Sequence, residues 1–315
     1  MNRSVVDVLI VGGGPAGLAT AIELRKAGAR NVRVIEREAC AGGIPRHSFH
    51  LGYGLRDRYQ FLSGPAYARS YVRQAGESGV SVSTSTTATE WCGDTALALT
   101  SGRGLEEVQA RAVVLATGAR ERGRNARAVP GTRPAGIYTT GALQQAVYLH
   151  QQYIGKRAVV VGAEHVSFSA VITLGHAGVR TVAMVTGEPA HQSYFPLRWG
   201  TAALYGYQLI TKALVVGIAG AARVEGVRVR KAQGVERFIE CDTVVFTGDW
   251  VPDHELARRA GLELTRETKS PAVSGVGETS RSGIYAIGNL VLPIKAADQC
   301  ALDGRALARV IIENI

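Results

Sequence analysis

Short apolar runs closed by glycine set the rhythm of this chain. Val5 to Val11 reads as a buried strand, and glycines follow it at once. A helical pattern comes next (Leu18, Ala21, Ile22, Leu24, Arg25) and closes at Gly28. A second strand, Val32 to Ile35, ends in Glu36. The same order returns later: the apolar run Arg157 to Val161, then Gly162, a helical pattern (Phe168, Val171, Ile172, Leu174) closing near Gly178, and a strand Thr181 to Val185. Gly12 and Gly162 stand 150 residues apart. The runs ending Ala116-Thr117-Gly118 and Phe246-Thr247-Gly248 repeat in the same way. Strand, helix and strand in alternation predict an α/β chain with parallel sheets. Two Rossmann-like nucleotide folds are the economical reading, the second inserted into the first. Residues 1–120 with 250–315 are expected to form one domain, and 121–249 the other.

The first copy carries chemistry. Gly12-x-Gly14-x-x-Gly17 lies between strand and helix, and an acid stands at the end of the next strand. Together these make a full dinucleotide fingerprint. Gly12 permits the tight turn, Gly14 lets the backbone approach a pyrophosphate, and Gly17 lets helix and strand pack closely. The helix N-terminus offers N–H groups and a positive dipole end to phosphates. Glu36 can accept from both ribose hydroxyls and would repel a 2′-phosphate. The fingerprint does not separate FAD from NAD.

The second copy departs from the pattern. Gly162-Ala-Glu164-His165-Val-Ser167 keeps only the first glycine, and its second strand is followed by Thr186 where the first has its acid. A side chain at 164 takes space that a pyrophosphate needs, and an ionised one repels it. This domain is expected to keep the fold and to bind NAD(P) poorly or not at all. Two other accounts stay open: Glu164 turned away beneath an unusual nucleotide pose, or Glu164 and His165 as surface or partner-contacting residues.

Composition narrows the class. Glycine makes up 38 of 315 residues, about 12 %, against roughly 7 % in average proteins. The excess has no G-X-Y period, so it marks tight turns rather than collagen. Hydrophobic residues at 46 % exclude disorder, and no apolar run is long enough to span a membrane. The net charge is +10, but the arginines are scattered and no aromatic-interleaved basic motif appears. An Arg-rich surface, or an anionic ligand or partner, is favoured over nucleic acid. Cys40, Cys92, Cys241 and Cys300 are far apart with no C-x-x-C, so neither a redox dithiol nor a metal knuckle is encoded. The N-terminal apolar stretch is too short for a signal segment, and a cytoplasmic protein is expected.

Near the end stands Ser282-Gly283-Ile-Tyr285-Ala-Ile-Gly288-Asn289. With the first fingerprint and Ala116-Thr117-Gly118, it resembles the two-dinucleotide-domain flavoproteins of the pyridine-nucleotide disulfide reductase superfamily, in a thioredoxin-reductase-like layout. Six longer stretches carry a narrower resemblance. They are Gly42-Gly-Ile-Pro-Arg46-His47, Leu62 to Arg69, Ala116 to Arg122, Val129 to Gln144, Val161 to Ala170 and Thr247 to Leu256. They look like the FAD-binding alpha subunits of opine oxidase, hydrogen cyanide synthase and hydroxyproline dehydrogenase type.

The resemblance implies FAD in the first fold, lined by Gly12, Gly14, Pro15, Ala16, Gly17, Glu36, Arg37, Gly43, Ile44, Arg46, Ala88, Ala116, Thr117, Gly118, Gly288 and Asn289. By the same resemblance the last helix points its N-terminus at the flavin's pyrimidine end, where Asp298 is a natural N-cap and Gln299 a hydrogen-bond donor. Arg46, His47 and Lys295 are the catalytic candidates, with His50 and Tyr53 behind them. Each has the plain alternative of anchoring a loop. The aromatic group Tyr194, Phe195, Trp199, Tyr205 and Tyr207 reads as core or subunit interface, and Asp253 as the N-cap of a helix closed by Gly261. The last helix is expected over Asp303 to Ile312.

Many such subunits continue into a Cys-rich segment, and this sequence stops at Ile315. The electron acceptor is therefore expected to be another chain, a small molecule or oxygen. A homo- or hetero-oligomer acting on a small-molecule substrate is expected. Three functions compete. The lead is an FAD-dependent oxidoreductase subunit dehydrogenating a C–N bond of an amine, imino acid or opine. The others are an NAD(P)H-dependent flavin reductase lacking the dithiol, and a flavin-holding scaffold with catalysis on a partner chain.

Overall fold

The strand β1 (Asn2–Val11) is polar at its start and wholly apolar at its end, because only the last half is covered on both faces. This computed structural model describes residues 2–193 and 195–315, and for 195–198 the backbone alone. The chain divides into two compact units. The first comprises 1–46, 51–120 and 251–315, and the second 47–50 and 121–250. The four residues His47 to His50 thus group with the second unit, although they lie within the first in sequence.

In the first unit, β1 is followed by α1 (Pro15–Lys26), β2 (Val32–Ile35), α2 (Gly64–Glu77), β3 (Ser81–Ser83), β4 (Thr86–Trp91), β5 (Ala96–Ser101) and β6 (Gly104–Leu115). The sheet order is β3-β2-β1-β6-β5-β4, with the strand Ile284–Ala286 beside the end of β6. β1 pairs parallel to β2 on one side and to β6 on the other. The first half of β6 pairs antiparallel with β5, and its last three residues pair parallel with Ile284–Ala286. One long strand therefore serves both a hairpin meander and the parallel sheet. The C-terminal helix (Ala297–Asn314) lies against α1. Their approach is close because Gly304 has no side chain: a Cβ there would sit 2.4 Å from the Ala16 carbonyl oxygen.

The second unit holds a five-stranded parallel sheet. Its strands are β7 (Ile137–Thr139), β8 (Arg157–Val161), β9 (Arg180–Val185), β10 (Gln208–Ile210) and, after an insertion, β14 (Thr243–Phe246). The insertion is an antiparallel meander of β11 (Ala213–Ala219), β12 (Gly226–Lys231) and β13 (Glu236–Glu240). The parallel order is β7-β14-β8-β9-β10. Helix α3 (His165–His176) follows β8 and buries Phe168, Val171 and Leu174 on the sheet. Both units are α/β, each built around a parallel sheet with helices packed on it.

Three local expectations need correction. The last helix begins at Ala297 rather than Asp303, and Ala296 takes the cap position. Asp298 therefore stands inside the first turn and is not the N-cap. His254, not Asp253, precedes the short helix Glu255–Arg259. Gly261, with φ +68°, follows that helix as expected. In the aromatic group, Tyr194 lies outside the described residues, as does the side chain of Phe195. Tyr207 is buried, its hydroxyl 2.8 Å from Thr201 Oγ1, while Trp199 is exposed. Among the described residues no helix is long and apolar enough to cross a membrane.

Candidate functional site

In the first unit the parallel strands β2, β1, β6 and Ile284–Ala286 end side by side, so the loops after them meet at one edge of the sheet. This is where α/β folds bind ligands. Gly12, at φ +115°, crosses so close to the neighbouring strand end that a Cβ would lie 2.3 Å from the Ala116 carbonyl oxygen. A Cβ on Gly17 would meet the Gly12 carbonyl oxygen at 2.1 Å. Gly14 differs: only the Gly43 Cα comes within 4 Å, at 3.9 Å. The backbone at Gly14 is left approachable, and Pro15 opens α1 with no side chain capping its N-terminus. Gly43, at φ +63°, faces Gly14, and the Gly42 N–H donates to the Gly13 carbonyl at 2.7 Å. These features make a cradle that a diphosphate fits: open backbone, an uncapped helix end and no acid in its first turn.

Glu36 is buried at the end of β2. Its carboxylate accepts from Gly13 N–H at 3.0 Å and Glu38 N–H at 2.9 Å, which holds it beside the turn. Ala16, Ala116, Gly288 and Asn289 border the same edge. A Cβ on Gly288 would lie 3.0 Å from the Ala16 Cβ, and Asn289 Oδ1 accepts from the buried Cys300 thiol at 3.6 Å. Burial pushes that thiol up to about 12. Thr117 donates to the Asp253 carbonyl at 2.7 Å, and Asp253 N–H donates to the Gly118 carbonyl at 2.9 Å. Arg37 does not stand as a free cation, because it pairs with Asp253 at 3.0 Å. Ala88 sits on β4 and packs into the apolar layer of the sheet.

The charged candidates are engaged too. Arg46 donates to the Cys40 carbonyl at 2.9 Å and pairs with Glu38 at 3.6 Å, closing the loop that carries Gly43 and Ile44. Lys295 pairs with Asp303 at 2.6 Å. Gln299 uses Oε1 to accept from Ala296 N–H at 3.1 Å, so its carbonyl end serves the helix start. Asp298 is buried and pairs with Arg56 at 3.2 Å. His47 and Gln144 are both buried in the second unit, with His47 Nδ1 3.2 Å from Gln144 Oε1 and Gln144 Nε2 donating to Ser169 at 2.9 Å. His50 lies near His165, whose pKa is held low first by burial and then by His50. Tyr53 has its ring 5.7 Å from that of Tyr67.

The second unit presents the matching edge differently. Glu164 stands before α3, and its side chain folds back over the strand ends. Glu164 Oε2 lies 2.7 Å from Ser167 Oγ and 2.9 Å from Thr247 Oγ1, and the two hydroxyls are 2.6 Å apart. Ser167 Oγ also accepts from Glu164 N–H at 3.1 Å. A Cβ on Gly248 would meet Glu164 Cδ at 2.9 Å. The carboxylate thus lies at the N-terminus of α3, where a phosphate would otherwise sit. At the neighbouring helix start, Glu121 accepts from Gly141 N–H at 2.9 Å, and burial raises its pKa.

One cluster escaped the sequence reading. Asp57 Oδ2 accepts from Tyr67 at 2.8 Å and Tyr71 at 2.6 Å, and all three residues are buried. Arg58 lies 3.9 Å above the Tyr71 ring and Arg305 donates to the Tyr71 hydroxyl at 3.2 Å. Burial, aided by Asp57, pushes Tyr71 up to about 12 and Tyr67 above the phenol range. The tyrosine spacing on α2 was visible, but nothing in the sequence says that a loop aspartate reaches both.

A family model described as pyridine nucleotide-disulphide oxidoreductase matches residues 6–304. An opine oxidase subunit from Agrobacterium tumefaciens (strain Ach5) is 28% identical, over 98% of this chain and 66% of the relative. Hydrogen cyanide synthase subunit HcnB of Pseudomonas protegens is also 28% identical, over 82% of this chain and 55% of the relative. The chain thus spans 55 to 66% of the length of these curated relatives. Among solved structures, T. acidophilum thioredoxin reductase superposes with a TM-score of 0.80 at 20% identity, covering 98% of each chain.

Proposed function

The chain belongs to the pyridine nucleotide-disulphide oxidoreductase family and is an FAD-dependent oxidoreductase, and from that premise we propose that it dehydrogenates a C–N bond of an amine, imino acid or opine. A carbon beside nitrogen would lose a hydride and the nitrogen a proton to solvent, leaving a C=N bond. The bound flavin supplies the hydride acceptor for such chemistry. The chain's own residues do the rest of the holding. Gly14 and the start of α1 would receive the diphosphate, Glu36 would take the ribose, and Gly288 and Asn289 would border the flavin.

One observation carries this reading: the Glu164 carboxylate is tied to Ser167 and Thr247 at the only fingerprint-like turn of the second unit's described residues. A fixed negative charge beside α3 opposes a nicotinamide dinucleotide's phosphates, and the residue directly after β9 is Thr186, where the first unit has Glu36. Electrons would then enter from a reduced organic substrate and leave to a partner subunit or small acceptor. The relatives' names, opine oxidase and hydrogen cyanide synthase subunits, support oxidation at nitrogen-bearing carbon.

The test is anaerobic. NADH, NADPH and a panel of amines, imino acids and opines are added separately while the flavin's visible absorbance is followed. A nitrogen substrate is expected to bleach the flavin and the nicotinamides to leave it oxidised. Rapid bleaching by NADH or NADPH would favour the flavin-reductase alternative and overturn this reading.

A further inference from the structure

Between Arg46 and Leu51 the chain leaves the first unit for four residues, and His47, Ser48, Phe49 and His50 group with the second. This strap is largely polar, yet His47 and Ser48 are buried. Its seat in the second unit is specific. Gln144 is buried and donates its amide N–H to Ser169 Oγ at 2.9 Å, so its Oε1 is left to accept from His47 Nδ1, 3.2 Å away. Phe49 stacks on Tyr148, with ring centroids 4.2 Å apart and planes 14° from parallel. The Tyr148 hydroxyl lies 2.7 Å from His176 Nδ1. Gln144 ends the short helix Thr140–Gln144, and Tyr148 stands in the π-helical turn Gln145–Leu149 that continues it. Ser169 and His176 both belong to α3, so that one long helix braces both seat residues. A π-helical turn is rare and concentrates at functional sites.

The strap also continues the loop that walls the diphosphate cradle. Gly42 N–H closes that loop on the Gly13 carbonyl, and Arg46 closes it on the Cys40 carbonyl and Glu38. Gly43, which faces Gly14, is joined to His47 by the 3-10 turn Ile44–His47, where Arg46 N–H donates to the Gly43 carbonyl at 3.1 Å. Such a turn rises about 2 Å per residue, so about 8 Å of wound chain separates the two. A link this short and hydrogen-bonded passes a shift at His47 on to Gly43. We propose that the strap is a clasp for FAD: seated on Gln144 and Tyr148, it holds residues 40–46 shut over Gly13 and Gly14. Gln144 and Tyr148 are then positioning residues for the cofactor, acting through His47 and Phe49. The inference rests on the proposed seating of the diphosphate at Gly14. Coupling of this kind is reciprocal, so FAD tightens the seat by the same factor as the seat tightens FAD.

The test follows FAD release from the diluted holoprotein by flavin fluorescence, in wild type and in Phe49→Ala, Phe49→Tyr, Gln144→Leu and Gly14→Val. Phe49→Ala loses the stacked ring and should release FAD about tenfold faster. Phe49→Tyr keeps the ring and should release it as wild type does. Gln144→Leu leaves a buried donor on His47 without its acceptor and should also release FAD about tenfold faster or more. Phe49 is 44 % exposed, so its loss should leave the melting of the second unit unchanged. Hydrogen exchange reads the reverse direction: removing FAD from wild type should speed exchange in residues 140–149, and should do so less in Phe49→Ala. Wild-type release in both Phe49→Ala and Gln144→Leu, equal losses in Phe49→Ala and Phe49→Tyr, or exchange at 140–149 that ignores FAD would each overturn the clasp. Gly14→Val decides the seating separately. A Cβ there meets only the Gly43 Cα, at 3.9 Å, so the fold accepts it, and FAD should be lost whatever the strap does. Retention of FAD in Gly14→Val sinks the diphosphate seating itself, whereas loss there beside wild-type release in the strap variants sinks the clasp alone.

Discussion

Replacing Glu164 separates its two roles, holding the second unit together and keeping phosphates out. Its carboxylate receives hydroxyls from Ser167 and Thr247 at 2.7 and 2.9 Å. A hydrogen bond to a charged group contributes about 1.5 to 3 kcal/mol, and a helix N-terminus adds about 0.3 to 1 kcal/mol for a nearby anion. The full sum is not lost in Glu164→Ala. With the carboxylate gone, Ser167 can donate to Thr247 across 2.6 Å, and Thr247 can turn its own proton to the Val161 carbonyl at 3.1 Å. A net loss of about 2 to 3 kcal/mol follows, or roughly 5 to 10 °C in the thermal midpoint of the second unit. Calorimetry of the holoprotein is the assay, because two units need not unfold in one step. Glu164→Gln keeps an acceptor without the charge and should lose about half as much. The same change removes a repulsion of about 1 to 4 kcal/mol against a diphosphate a few ångströms away. NADH should therefore bind Glu164→Gly at least about tenfold tighter than wild type, read by equilibrium dialysis. A neutral Glu164→Ala together with unchanged NADH affinity would refute the reasoning, since the carboxylate would then neither hold the turn nor guard it.

Gly17→Ala pushes a methyl group toward the Gly12 carbonyl oxygen, 2.1 Å from an ideal Cβ, and should abolish retention of FAD through gel filtration. Gly304→Ala meets the Ala16 carbonyl oxygen at 2.4 Å, and overpacking of this kind should cost about 1 to 3 kcal/mol in urea melts. Iodoacetamide at pH 8 should label the exposed Cys40 and Cys92 in the native protein, and Cys241 and Cys300 only after denaturation. Burial raises both of the latter to about 12, so their thiolates are scarce, and mass spectrometry of each peptide reads the result. Glu106 is bonded by Arg33 at 2.7 and 2.9 Å, which holds its pKa below the ordinary carboxylate value. Its contribution is present above that ordinary value and lost as pH falls through the lowered one. The stability gap between wild type and Glu106→Gln should accordingly be full at neutral pH and narrow as pH falls below the ordinary carboxylate range.

The parallel strands were legible because burial on both faces forces uninterrupted apolar runs, as in Val8 to Val11 and Val159 to Val161. The glycines of the first turn were legible because only glycine fits positions where a Cβ would meet backbone, as at Gly12 and Gly17. The antiparallel meanders were not read, since short alternating strands such as Ala96–Ser101 look like any exposed hairpin. Acids near helix starts misled for a different reason. Asp253 and Asp298 have the residue type of a cap, yet each is claimed by arginine, Arg37 and Arg56 respectively. One-dimensional spacing says which helix an acid precedes and not which cation reaches it. The same limit hid the Asp57 cluster, whose partners lie on another element and in the C-terminal helix.

Glu164 shows the limit from the other side. Its identity in the sequence left its direction open, and the structure turns it inward onto Thr247 and Gly248. A helix beginning after a strand presents N–H groups that need an anion or water. Helix α1 has no capping side chain and a bare Gly14 beside it, so that need can be met by a cofactor's diphosphate. In the second unit the third fingerprint position supplies a carboxylate from within the chain. The two solutions exclude each other at a single site, because fixed negative charge and bound diphosphate compete for the same field. On the proposed reading, filling the phosphate seat keeps the sheet and its packing and closes that entry for electrons, so the reductant would have to reach the first unit directly.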